Sequence, residues 1–200
     1  MVNLNRLTTF FRGILIIPAG VILALVTAPV WSWGPPAESG GAPQLWRVLF
    51  ATGTFLFLPT LLMILFRRKY PRWWVDWNVN VTKFSARVGA YAALVTDEYP
   101  STEREQCVHI DIPFPDVKND LLPGMPLVKW FLAIPHWFLL FFLGWAAAFC
   151  IFISWFAILF TGRFPRGLFN FVVGAGRWAL RAGAYAFLLV TDVYPPFSLE

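Results

Sequence analysis

Charge is what this sequence has least of: only 14% of its residues are Asp, Glu, Lys or Arg, against about 25% in a typical soluble domain. Hydrophobic residues make up 58% and aromatic ones 18%, more apolar surface than a water-soluble core of this size can hide. Two stretches, Gly13 to Ala37 and Val48 to Phe66, have no ionisable side chain. Each approaches or exceeds the ~20 residues of a spanning helix, and both read as transmembrane. A third, Trp130 to Gly162, is interrupted only by His136. As one helix it would be roughly 50 Å long, well beyond a hydrocarbon core of ~30 Å, yet it is short for two full spans.

Cysteine is scarce too. Cys107 lies in a polar stretch and Cys150 in an apolar one, environments too different for a disulfide framework, so both are expected to be free thiols. Arg6 and Arg12 precede an apolar run in the manner of a secretory signal. However, Thr27-Ala-Pro-Val is a poor cleavage site and the run continues past it, so this segment reads as a permanent helix.

Catalytic signatures are missing as well: there is no Gly-x-Ser-x-Gly elbow, no Cys-His pair with an orienting partner and no Walker-type phosphate loop. Cys107, His109 and Asp111 would share a face if their segment were a strand, but strand alternation produces such faces routinely. His109 therefore reads as an exposed strand residue and His136 as a polar group near the membrane surface. Haem would want an axial His on a spanning helix, for which His136 is the sole candidate. No catalytic residue, metal, cofactor or nucleic-acid partner is expected.

What is present is an internal repeat. Ile64-Leu-Phe-x-x-Lys-Tyr-Pro-Arg72 recurs 94 positions later as Ile158-Leu-Phe-x-x-Arg-Phe-Pro-Arg166. Lys83-Phe-x-x-Arg-x-Gly-Ala-Tyr91 matches Arg177-Trp-x-x-Arg-x-Gly-Ala-Tyr185 in the same register, and Val95-Thr-Asp-Glu-Tyr-Pro100 matches Val190-Thr-Asp-Val-Tyr-Pro195. Upstream, Arg12 followed by Ile17-Pro18 aligns with Lys129 followed by Ile134-Pro135 at an offset of 117. The larger offset reflects the Pro/Gly/Ser-rich loop 28–47, which the second half lacks.

The fold expected from this is all-α and integral to a membrane: two tandem repeats of a transmembrane helical hairpin plus a cytoplasmic-side amphipathic helix. Residues 1–100 form the first, with its extracytoplasmic loop at 28–47 and its amphipathic helix at 72–97. Residues 101–126 are a cytoplasmic linker, in which Val108 to Pro113 alternates like a short strand. Residues 127–200 form the second, with a short hairpin at 127–161 turning near Gly144 and an amphipathic helix at 166–191. The short arms leave two options: a locally thinned bilayer or a re-entrant hairpin. Of the 16 Lys and Arg residues only Arg47 falls on the loop side, which places both termini in the cytoplasm.

In the first amphipathic helix Trp77, Val81, Phe84, Val88, Tyr91 and Val95 recur at spacings of three and four. Asn78, Asn80, Thr82, Lys83, Ser85 and Arg87 fall on other faces. Pro71 suits a first helical turn, and Tyr99-Pro100 ends the segment. Such a helix can lie at a membrane interface or pack on its own hairpin.

The paired Tyr/Phe-Pro-Arg, Arg-x-Gly-Ala-Tyr and Thr-Asp-x-Tyr-Pro elements have Val108-His-Ile-Asp-Ile-Pro and Leu127-Val-Lys-Trp-Phe-Leu-Ala-Ile-Pro-His between them. Together they resemble the bacterial membrane family called domain of unknown function 4389, from Arg67 onward and in tandem copies. The resemblance implies a multi-pass protein of the bacterial inner membrane and brings no activity.

The residues suggest a non-enzymatic membrane scaffold or accessory subunit. Its anion or lipid contacts are expected at Arg72, Lys83, Arg87, Arg166, Arg177 and Arg181. Thr96, Asp97, Tyr99 and Pro100, with Thr191, Asp192, Tyr194 and Pro195, form turn motifs in which Asp caps the turn or pairs with Arg87 or Arg181. Trp73, Trp74, Trp77 and Phe84 form a face for a partner membrane complex or a second copy. The alternative is a small transporter or lipid-handling protein, against which stands the lack of acidic or basic residues inside the spans.

Overall fold

The structure, a computed structural model, describes residues 2–27, 60–67, 70–102, 104, 106–110, 112, 114 and 125–199. The loop 28–47 and most of the Val48 to Phe66 span lie outside these residues. A two-residue strand β1 (Val2–Asn3) leads into α1 (Arg6–Leu15) and α2 (Ile17–Thr27). Asn5 caps α1 by accepting the Leu7 N–H at 3.0 Å, as short polar residues do where helix donors lack partners. Residues 60–67 are helical (α3). Then come α4 (Arg72–Ala92), α5 (Met125–Thr161), β2 (Arg163–Phe164), α6 (Arg166–Gly183) and a π-helical turn, Ala184–Leu188. Pro71 and Pro165 sit at the N-caps of α4 and α6, where a missing N–H costs nothing.

The largest departure from expectation is α5. Instead of a hairpin turning near Gly144, residues Met125 to Thr161 make one continuous helix of 37 residues, roughly 55 Å long. A single glycine among Leu, Trp and Ala costs a helix only about 1 kcal/mol. A tight turn in an apolar stretch would instead leave several carbonyls without partners. Gly162, at φ +72°, ends the helix, and β2 pairs antiparallel with β1, Val2 opposite Phe164. The expected strand at Val108 to Pro113 is not formed among the described residues, since a lone extended segment has no ladder to join.

The two ends of α5 organise everything else. At its C-terminal end, Leu94 packs with Leu4, Ile158 and Phe164, and the Trp155 indole donates to the Thr9 carbonyl at 3.2 Å. At its N-terminal end Lys129 meets the segment after the π turn. There Leu189 packs with Leu61, Ile64, Tyr70 and Val75, and the Tyr70 hydroxyl donates to the Leu188 carbonyl at 2.9 Å. Burial raises the Tyr70 pKa above its ordinary value. Helix α4 therefore runs from the Lys129 end to the Thr161 end, and α6 runs the other way. Leu94 comes from the first half and packs on the second, while Leu189 does the reverse.

Along α4 the buried residues are Val75, Asn78, Val81, Phe84, Val88 and Tyr91. Asn78 thus points inward where a polar face was expected, because the covered stripe is set by α2 and Tyr70 rather than by apolarity alone. Phe84 and Val88 pack on Ala19 of α2. The segment after α6 returns along that helix, and Gly174 is required there: a Cβ would lie 2.5 Å from the Leu199 carbonyl.

Among the described residues, two helical stretches are long and apolar enough to cross a membrane, Arg6–Ala24 and Val128–Thr161. Only 6% of the second stretch's most apolar window is buried, whereas the core helix of a soluble domain would be mostly covered.

Leu94 and Leu189 both adopt left-handed backbone, φ 63° and 55°, which costs a non-glycine residue about 1–2 kcal/mol. Leu94→Ala is therefore expected to destabilise the protein more than Leu94→Gly, by about 1 kcal/mol, since both lose the same packing and only glycine is at ease there. Denaturant titration of the two variants in detergent, followed by Trp fluorescence, measures the difference.

Candidate functional site

The Thr-Asp-x-Tyr-Pro segments form the best-defined polar centres, and their partners come from the apolar helices. Arg12, on α1, pairs with Asp97 through Nη2 and donates from Nη1 to the Tyr91 carbonyl at 2.8 Å. Its guanidinium lies 4.6 Å from the Tyr91 ring centre. Asp97 also accepts the Asn5 N–H at 2.8 Å, so one carboxylate neutralises the cation and satisfies the start of α1. At the other end of α5, Lys129 Nζ is 2.6 Å from Asp192 Oδ1 and donates to the Thr191 carbonyl at 2.7 Å. It lies 5.4 Å from the Tyr185 ring centre.

The neighbouring residues behave alike at both ends. Thr96 Oγ1 accepts the Glu98 N–H and Thr191 Oγ1 the Val193 N–H, each at 3.1 Å, the local bond that fixes such turns. Tyr99 stands edge-on to Tyr91 and Tyr194 to Tyr185, both at 5.8 Å. Pro100 and Pro195 are buried. Desolvation raises the pKa of the Tyr91 and Tyr185 phenols.

Arg87 and Arg181 are not the partners of these aspartates. They donate to the carbonyls of Ser101 and Ser198, each at 2.6 Å, and so hold down the chain that follows each motif. The cations that do meet the aspartates, Arg12 and Lys129, were not among the expected site residues. Their signal was present in the sequence: each is a basic residue five positions before Ile-Pro at the head of an apolar run.

Of the other expected cations, Arg72, Arg166 and Arg177 are exposed, with Arg72 lying 5.3 Å from the Phe114 ring centre. Lys83 is half-buried beside an open groove of about 430 Å³ shared with Asp76, Asn80 and Phe114. The expected partner face is only partly presented. Trp73 is 69% exposed. Trp74 instead stacks on Trp77 at 5.3 Å and donates to Thr60 at 2.9 Å, and Phe84 is buried against Ala19.

His136 is fully buried within the protein. Its Nδ1 accepts the Trp178 indole N–H at 3.1 Å, and the Phe197 ring stacks on it at 4.2 Å. Cys107 is exposed, with Sγ 3.6 Å from a Glu98 carboxylate oxygen. His109 is exposed, and Asp111 lies outside the described residues.

Residues 126–198 match the family model described as Domain of unknown function (DUF4389). This stretch is similar to that family. It contains Lys129, His136, Trp178, Arg181 and the second motif through Ser198, so the DUF4389 match takes in one complete ion pair with its supporting turn. No curated protein and no solved structure matches the chain.

Removing one member of a buried ion pair leaves the other without compensation, at a cost of about 3–5 kcal/mol. Lys129→Met is expected to fall in that range, since the Lys129 and Asp192 side chains are 0% and 17% exposed. Lys129→Met with Asp192→Leu is expected to recover part of the loss. Arg12→Met should cost less, because the Asp97 side chain is 31% exposed and water screens it. Chemical denaturation of the four proteins tests this order.

Proposed function

We propose that this protein is a non-enzymatic membrane scaffold or accessory subunit of the bacterial inner membrane. In this reading it is built from two tandem copies of one unit: an apolar helical segment, an amphipathic helix and a Thr-Asp-x-Tyr-Pro turn. It holds anionic lipid with its exposed arginines and offers Trp73 to a partner membrane protein. The observation that carries the membrane part is the uncovered apolar surface of α1, α2 and α5. Phe131 and Phe160 are 76% and 79% exposed and Leu7 is 70% exposed, an arrangement that water penalises and acyl chains do not. The tandem reading is supported by the matching turns and by the reciprocal packing of Leu94 and Leu189.

The cations assigned to lipid are Arg72, Arg166 and Arg177, because Arg87 and Arg181 are already committed to carbonyls. An exposed guanidinium can hold a phosphate bidentately. A lipid-handling role is the second reading, favoured by the groove beside Lys83, where a cation, an amide and an apolar wall come together.

Replacing Arg72, Arg166 and Arg177 together by Gln should weaken binding of the full-length protein to anionic vesicles by about 1 kcal/mol per charge, with little change on neutral vesicles. Raising the salt should have the same effect, since surface charges are screened over ~10 Å at 0.1 M. Equal binding of both proteins at low salt would refute the lipid role. Separately, Trp73→Ala should reduce retention of a copurifying membrane protein, whereas Phe84→Ala should act through stability; unchanged retention in Trp73→Ala refutes the partner face.

A further inference from the structure

We infer that α5 does not cross the bilayer but lies in the plane of one leaflet, its aromatic ridge turned to the acyl chains. This rests on the membrane reading above and deepens it. Four observations carry it.

The first is length. The 34 residues from Val128 to Thr161 measure roughly 50 Å against a hydrocarbon core of ~30 Å. Fitting them inside by tilt alone would need more than about 50°, beyond the observed limit of roughly 40°.

The second is where the aromatic residues fall. Besides Trp130, Phe141 and Phe152 to one side, Phe131, Phe138, Phe142, Trp145, Phe149 and Phe160 are each 57% or more exposed. They follow one another at intervals that keep a single helix face, opposite the buried stripe of Lys129, Ala133, His136, Ser154 and Ile158. A crossing helix gathers Trp at its two ends, at headgroup depth. Here Trp130, 53% exposed, stands near one end, but Trp145, 63% exposed, stands at the centre of the stretch. A helix in the plane gives every ring on the ridge the same depth, at the headgroup and acyl boundary.

The third is the company α5 keeps. Helix α4 runs between the same two ends, fixed by Tyr70 at Leu188 and by Leu94 against Ile158 and Phe164. It exposes Arg72, Asp76 and Asn80. If α5 crossed the membrane, α4 would take these polar groups across with it, where uncompensated charges are disfavoured.

The fourth is the position of the ion pairs. Asp97 bonds Asn5, next to Leu4, whose N–H donates to the Gly162 carbonyl, while Asp192 bonds Lys129 at the opposite end of α5. A crossing would put these two similar centres at opposite membrane surfaces. The in-plane placement puts both at one surface, together with Arg163 and Arg166, which follow α5 and are exposed. The occupant of the ridge is thus the acyl region of a single leaflet that carries anionic headgroups.

The test uses full-length protein with single cysteines at Phe131, Trp145 and Phe160, spin-labelled in vesicles of phosphatidylglycerol and phosphatidylcholine. Label depth is read from collisions with oxygen and with a water-soluble nickel complex. Helix content of each variant is checked by circular dichroism, and Phe138→Cys and Phe149→Cys replace any variant that fails to fold. Equal depths for the three labels, within about 5 Å of one another and 5–10 Å below the headgroups, are expected. A label at 145 near the bilayer centre, with 131 and 160 close to opposite surfaces, overturns the inference but leaves the membrane reading standing. Three labels open to the nickel complex overturn both. Labels shielded from both reagents place the ridge in a protein interface and overturn the in-plane assignment.

Discussion

A cation on an apolar helix must be met by an opposite charge, because an uncompensated buried charge costs more than a fold of this size can bear. Arg12 and Lys129 are such cations, and each is met by the aspartate of a Thr-Asp-x-Tyr-Pro segment. That single requirement draws the end of α4 onto the start of α1 and the chain after α6 onto the start of α5. Desolvation of the pair is offset by more than Coulomb attraction: a carbonyl accepts from each cation and a tyrosine ring lies beside it. With a charge in the wrong place, neither helix end could be dry.

Once the ends are tied, packing follows from geometry. The continuous α5 holds its two ends far apart, so the groups that cap them come from different halves of the chain. Leu94 is covered by Ile158 and Phe164, and Leu189 by Ile64 and Tyr70. Each half supplies the apolar lid of the other, and the left-handed leucines are held where isolated chain would avoid them. Neither half has a complete core alone, which is why α5, although mostly bare along its flanks, is well anchored at both ends.

The sequence made several elements legible for local physical reasons. Proline before arginine marked the starts of α4 and α6, because proline lacks the N–H that the first turn does not use. Threonine and aspartate before Tyr-Pro marked the turns. Other features were not legible. Gly144 carries no information on whether a helix bends or continues, since its cost is small either way. Arg87 and Asp97 are both polar and ten positions apart, which made a local pair plausible. The competing partners, the Ser101 carbonyl and Arg12, become visible only when the chain folds back. Asn78 and Phe84 show the same limit, as periodicity finds a face but not what covers it.

By itself the sequence determined the apolar character of the long helices, the duplicated motifs, and the presence of a basic residue at the same distance before each Ile-Pro. These follow from composition and spacing, which need no neighbours. Only the tertiary structure decided that residues 125–161 form one helix, that Arg12 and Lys129 are the partners of Asp97 and Asp192, and that three of the expected cations, Arg72, Arg166 and Arg177, face outward. Those choices depend on which groups compete for the same charge or the same space, and that competition exists only after distant segments have been brought together.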